Sequence, residues 1–140
     1  MTTIEPGLDT FPKLVRANAA RWPGRVAIRE KDLGIWQSFT WRDYFTRARR
    51  IALGLASLGL ARGDKVAIIG DNRPELYWAA LATQSLGGIP VPLYQDSSEK
   101  ELAYIVDHAE AAVPRARFPG SASKRCVVSP CQSGGLLDRP

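Results

Sequence analysis

Only two cysteines and one histidine occur among the 140 residues. Cys126 and Cys131 have four residues between them and no histidine nearby, which makes a poor zinc site. They are expected to be incidental thiols in a reducing compartment. A Ser-His-Asp set would have to converge on His108 alone, and His108 sits between Asp107 and Glu110 in a helical pattern, as a surface or boundary residue does. No apolar run approaches the roughly 20 residues that span a bilayer. The longest candidate, Ile51–Ala61, is short and lies within a charged amphipathic pattern. The first ten residues, MTTIEPGLDT, lack a basic stretch followed by an apolar core, so they are not a secretory signal. A cytoplasmic location is the expectation. Phosphate-cradling glycines are also missing. After the apolar run KVAIIG only Gly70 stands at the strand end, and bulky Asn72, Arg73 and Pro74 follow. This fits neither a Walker loop nor a dinucleotide fingerprint.

What is present is an ordinary globular composition, 45% hydrophobic and 24% charged, and a length of one domain or part of one. The net charge of +5 is concentrated at the end. Residues 113–140 carry Arg115, Arg117, Lys124, Arg125 and Arg139 against Asp138 alone. That stretch has no aromatic interleaving beyond Phe118 and no recognition module, so nucleic acid is not an expected partner.

Thr10 before Phe11-Pro12 marks a helix start, with Phe11, Leu14, Val15 and Trp22 near one face and Pro23-Gly24 as the stop. Val26–Arg29 and Ile35–Phe39 read as strands of a hairpin around Lys31-Asp32-Leu33-Gly34. Thr40 with Asp43 three residues on resembles a capping box. Trp41, Tyr44, Phe45, Ala48, Ile51, Ala52, Leu55 and Leu58 then keep helical spacing without a break. Arg42, Arg47, Arg49 and Arg50 fall on other faces and are expected to be that helix's solvated side.

KVAIIG is the mark of a strand covered on both faces. Pro74 opens a helix that Gly87-Gly88 ends, and Ile89–Leu93 gives a further strand. Pro90 and Pro92 lack donors and place that strand at an edge, or point their nitrogens away from the sheet. Ser97 or Ser98 caps a last helix with Leu102, Ile105, Val106 and Ala109 on one face, while Glu99 and Glu101 are expected to be solvated. Residues 64–110 thus read β-α-β-α, an α/β class with parallel β-α-β units. Asp71 or Asn72 is expected to cap the helix at Pro74, Glu75 to favour its positive end, and Arg73 to pair with a carboxylate elsewhere.

Three blocks carry more information together than singly: TFPKLVRANAARWPGRVAIREKDLGIWQSFTWRDY, ARGDKVAIIGDNRPELYWAALATQSLGGIPVPLYQDSS and ELAYIVDHAEA. Over residues 8–112 they resemble the N-terminal portion of AMP-forming acyl-CoA synthetases, the adenylate-forming superfamily. GDNRPE and VPLYQDSS look closest to long-chain fatty acid–CoA ligases. The resemblance implies activation of a fatty acid by ATP, usually with Mg²⁺, to an acyl-adenylate and pyrophosphate, after which the thiol of coenzyme A displaces AMP. It also implies that the phosphate loop, the ribose-binding acid, the hinge and the catalytic lysine of the family lie downstream of the matched part. No catalytic, cofactor-binding or metal-binding residue is therefore carried onto this chain. Asp71, Asn72 and Arg73 match the family's DNRPE block as structural residues.

Residues 1–112 form the matched portion and 113–140 a disordered tail. After DHAEA the family pattern expects a buried aliphatic strand, but Pro114, Pro119, Pro130 and Pro140 interrupt regular structure over most of the remaining residues. A frameshift near codons 111–113 of a GC-rich gene would account for the change, the alternative being a natural short protein. A sheet ending there is expected to leave an unpaired edge and to aggregate. The expected chain is a truncated piece, inactive alone. The alternative in another class is a non-catalytic module that docks on a full-length synthetase.

Overall fold

The computed structural model describes residues 7–94, 96–111 and 127–128. The chain runs α1 (Phe11–Arg21), β1 (Val26–Asp32), β2 (Ile35–Thr40), α2 (Trp41–Ser57), β3 (Lys65–Ile69), α3 (Pro74–Ser85), β4 (Ile89–Leu93), α4 (Glu99–His108) and β5 (Val127–Val128). β1 and β2 form an antiparallel hairpin, and a three-stranded parallel sheet has the order β4-β3-β5. This is the expected α/β architecture.

β3 is central because its residues are apolar on both faces. Val66, Ala67 and Ile68 are no more than 1% exposed. Val66 and Ile68 meet Ala52 and Leu55 of α2 and Ala79 and Ala82 of α3, while Ala67 meets Leu93 and Val106 of α4 on the other side. A third cluster, Ala48, Trp78 and Leu81 with Val15, Phe39 and Tyr44 against it, joins α1, the hairpin and α2 to α3. Phe11 is 68% exposed, so it does not share in that packing, although its spacing groups it with Leu14 and Val15.

The hairpin loop is shorter than the sequence suggested. Lys31 and Asp32 pair with Trp36 and Ile35, which leaves Leu33 and Gly34 as the only loop residues. Both have positive φ, 46° and 83°. A two-residue hairpin turn whose twist matches the strands requires this. Leucine is a poor occupant of left-handed space, and Leu33 is 95% exposed with no packing to compensate. Leu33→Asn is expected to raise stability by about 1 kcal/mol, read as a higher denaturant midpoint with unchanged slope.

Two helices begin on closed capping boxes. The Asp43 backbone N–H donates to Thr40 Oγ1 at 3.2 Å, while the Thr40 N–H donates to the Asp43 carboxylate at 2.9 Å. At α4, Ser98 and Glu101 repeat the arrangement, so Glu101 is a capping partner and not merely a solvated acid. Hydrogen bonds from Thr40 hold the Asp43 carboxyl below its ordinary value of 3.8, and those from Ser98 hold Glu101 below 4.5. A depressed carboxyl adds stability above its unfolded value and loses it as pH falls through the folded one. Unfolding midpoints should therefore fall on acidification below those ordinary values, and the fall should be shallower in the double variant Asp43→Asn, Glu101→Gln.

β4 lies at the sheet edge, as its prolines indicated. The Ile89 N–H donates to the Asp64 carbonyl, so Ile89, Val91 and Leu93 turn their backbone groups toward β3. Pro90 and Pro92 face outward and offer no donor to a further strand. Among residues 113–140, for which the prolines suggested little regular structure, Val127 and Val128 are described, and they lie parallel to β3 opposite Ala67 and Ile68.

Candidate functional site

The segment between β3 and α3, Gly70 to Pro74, stands at the carboxyl end of a buried parallel strand, where α/β folds place their sites. Its capping arrangement differs from the expectation. Pro74 is the first helical residue and Arg73 is the N-cap, with no side-chain cap. Asp71 and Asn72 thus stand outside the cap position, which accounts for their not capping. The Asp71 carbonyl accepts from the Arg73 N–H at 2.7 Å and closes the turn. The Asn72 side-chain oxygen accepts from the Tyr77 hydroxyl at 2.6 Å. Glu75 is in the first turn, where its charge suits the helix dipole as expected.

Arg73 finds the distant carboxylates the sequence called for, and both lie on β1. Its Nη2 donates to Asp32 Oδ1 at 2.9 Å and its Nε lies 3.0 Å from Glu30 Oε1. The hydrogen bond to Asp32 and the charge of Glu30 raise the guanidinium further above its usual range. Side-chain alternation along β1 makes this possible: Glu30 and Asp32 share one face and reach the same cation. The guanidinium is paired with two carboxylates of its own chain, so it pins the hairpin to the β3-α3 loop.

Two clefts flank this staple. One, about 460 Å³, lies between β1 and the start of α3, with Arg29, Lys31, Arg73 and Tyr77 in its walls. The other, about 320 Å³, opens over the ends of β3 and β4 between Gly70, Leu76, Leu93 and Tyr94. Neither holds a paired nucleophile and base. His108 is on the exposed side of α4, stacked on Tyr104 with ring centroids 5.7 Å apart. Among the described residues no cluster of His, Cys, Asp and Glu could hold a metal ion, and no helix is long and apolar enough to cross a membrane. Cys126 and Cys131 lie outside the described residues. The sequence assigned no catalytic or ligand-binding residue, and it also missed that Arg47 is more than a solvated cation. Arg47 lies 4.7 Å over the Trp78 ring and 5.0 Å over Phe39. Its position seven residues after Thr40, on the helix next to the hairpin, was the available signal.

This arrangement of hairpin, amphipathic helix and β-α-β-α unit coincides with a known family. The model of the AMP-binding enzyme family matches residues 15–122. The chain belongs to that family. The match continues past Ala112, where the resemblance read from the residues ended. An uncharacterized protein of Mycobacterium tuberculosis strain H37Rv is 36% identical over 113 residues, 81% of this chain and 63% of that protein. A long-chain-fatty-acid–CoA ligase of Mus musculus is 31% identical over 104 residues, 74% of this chain and 16% of the ligase. Among solved structures, the N-terminal subdomain of Klebsiella oxytoca NpsA superposes with a TM-score of 0.68 at 27% identity, covering 85% of this chain and 31% of that one. The chain thus spans less than two thirds of these relatives, and far less of the ligase.

Proposed function

We propose that this chain is framework for an AMP-forming long-chain fatty acid–CoA ligase and is inactive alone. Residues 1–112 form the synthetase portion and 113–140 a tail, a truncated piece of the ligase. In the complete ligase ATP, with Mg²⁺, converts the carboxylate of a fatty acid, a poor electrophile, into an acyl-adenylate with AMP as leaving group, and coenzyme A then takes the acyl group in the cytoplasm. The observation that carries this reading is the family match over residues 15–122 together with the small share of the ligase spanned. We assign no catalytic, cofactor-binding or metal-binding residue to the chain. Asp71, Asn72 and Arg73 turn, tie and pin the loop. Purified chain given ATP, Mg²⁺, palmitate and coenzyme A is expected to release no pyrophosphate above buffer; steady turnover would contradict the proposal.

One observation favours a second reading, a non-catalytic module that docks on a full-length synthetase. The Mycobacterium tuberculosis relative, of which 113 residues make 63%, is itself a short chain. A docking module predicts a stoichiometric complex when tagged chain is mixed with a full-length long-chain ligase; free elution of both proteins would eliminate it.

A further inference from the structure

We propose that the tip of the β1-β2 hairpin docks on anionic membrane surfaces, with Leu33, Ile35 and Trp36 entering the headgroup region and Lys31 and Arg29 meeting lipid phosphates. Leu33 starts the argument. It occupies a left-handed turn position, φ 46°, that asparagine or glycine fills without strain, and it is 95% exposed. The fold gains no packing from that choice, and a local rule broken without a structural return is expected at functional positions. Ile35 and Trp36 beside it are each 64% exposed. Ile35 pairs across the hairpin with Asp32 and Trp36 with Lys31, so the apex is apolar at its end and on both faces.

Charge decides what the apex meets. Arg29 pairs with Ser38 as Lys31 does with Trp36, so these four side chains share the hairpin's outer face. Glu30 and Asp32 lie on the other face, where Arg73 neutralises both. Arg29 and Lys31 are exposed and have no ion-pair partner among the described residues. At the rise of a strand, Lys31 and Arg29 stand about 7 and 13 Å behind Leu33. An interfacial element buries its apolar part by about 5–10 Å, so these cations reach the phosphates as the apex enters. Trp36 then takes the interfacial position that its ring favours. The hairpin's half of the chain has the same sign. Residues 7–62 hold eleven lysines and arginines against four acids, and each acid is engaged: Asp9 with Lys13, Glu30 and Asp32 with Arg73, and Asp43 in the cap of α2. Residues 63–111 hold eight acids against three cations. A negative surface therefore attracts the hairpin half and repels the other. The apolar apex selects lipid over nucleic acid, whose contacts are made by polar and charged groups on phosphate.

The test uses the full chain and vesicles of phosphatidylcholine, with and without phosphatidylglycerol. The parent is expected to sediment with the phosphatidylglycerol vesicles, and more weakly with phosphatidylcholine alone. Leu33→Asn should weaken binding to both by about tenfold or more, the worth of one buried leucine. The same substitution is expected to raise the unfolding midpoint, so misfolding cannot mimic that loss. Arg29→Gln and Lys31→Gln should each weaken binding to phosphatidylglycerol vesicles about fivefold and leave binding to phosphatidylcholine unchanged. Vesicles should shift the parent's tryptophan emission to the blue, and Trp36→Phe should lose most of that shift. Failure of the parent to sediment with vesicles would overturn the proposal. Binding that Leu33→Asn leaves unchanged would also overturn it and assign attachment to the basic residues of 113–140. Retention on a duplex oligonucleotide in place of vesicles would overturn it in favour of nucleic acid. The readout needs no turnover, so it stands or falls independently of ligase activity.

Discussion

Trp78→Ala is expected to lower the unfolding free energy by about 3–5 kcal/mol, the cost of removing a large aromatic from a core that cannot close over the gap. Trp78 is 3% exposed and sits where α1, α2 and the hairpin meet α3. Phe39 meets it edge to face at 5.2 Å, and Arg47 covers its ring. Deleting the indole therefore strips the packing partner of Phe39 and leaves Arg47 without one of its two rings. Trp78→Phe provides the contrast. The indole Nε1 is buried and has no hydrogen-bond partner among the described residues, so the phenyl ring forfeits no bond. Its cost should be well under half that of alanine. Urea unfolding of the three proteins checks both values, and an equal loss for alanine and phenylalanine would contradict this account of the packing.

Gly88→Ala is expected to cost about 1–3 kcal/mol, as overpacking does where neighbours cannot retreat. Gly87 and Gly88 end α3 in a paired cap: the Gly88 N–H donates to the Thr83 carbonyl and the Gly87 N–H to that of Gln84. A methyl group at Gly88 would stand 3.0 Å from Thr83 Cγ2 and 3.1 Å from the Asp64 carbonyl oxygen. Neither can move freely. Thr83 is fully buried with its hydroxyl donating to the Ala79 carbonyl, and Asp64 accepts the first bond of the β3–β4 ladder. Gly87→Ala fails for a different reason, its φ of 76°, while its nearest neighbour is the flexible Arg62 side chain. Thermal unfolding should show both variants destabilised, with the β3–β4 amides of Gly88→Ala exchanging faster than its loss of global stability accounts for.

Much of this fold was legible because several local signals agreed at each element. The unbroken three-and-four spacing of α2 began on a capping pair, and a short apolar run between a glycine turn and Gly70 reads as a strand buried on both faces. The prolines of β4 narrowed the strand to an edge position or to one whose proline nitrogens face away from the sheet, and β4 satisfies both. What escaped the sequence depended on contacts between distant segments. Asp71 and Asn72 have the chemistry of caps, but Pro74 as the first helical residue made Arg73 the N-cap. Arg47 looked like a solvated cation because the rings beneath it come from β2 and α3. Glu101 looked like one of a pair of surface acids, although Ser98 three residues before it was the signature of a capping box. The two-residue hairpin turn was hidden by Leu33, a residue that such turns seldom contain. At the candidate site, the need of Arg73 for a carboxylate was readable from its charge, but only the register of β1 lets two of its acids share that cation.

The central claim is that this chain supplies framework and does not itself hold the nucleotide. Thermal unfolding of the full chain with and without millimolar ATP and Mg²⁺ tests it most directly. A ligand bound at 100 times its dissociation constant adds about 2.7 kcal/mol to the folded state, a shift of several degrees for a domain of this size. The account predicts superimposable unfolding curves. A Tm that climbs with ATP concentration and saturates would contradict it.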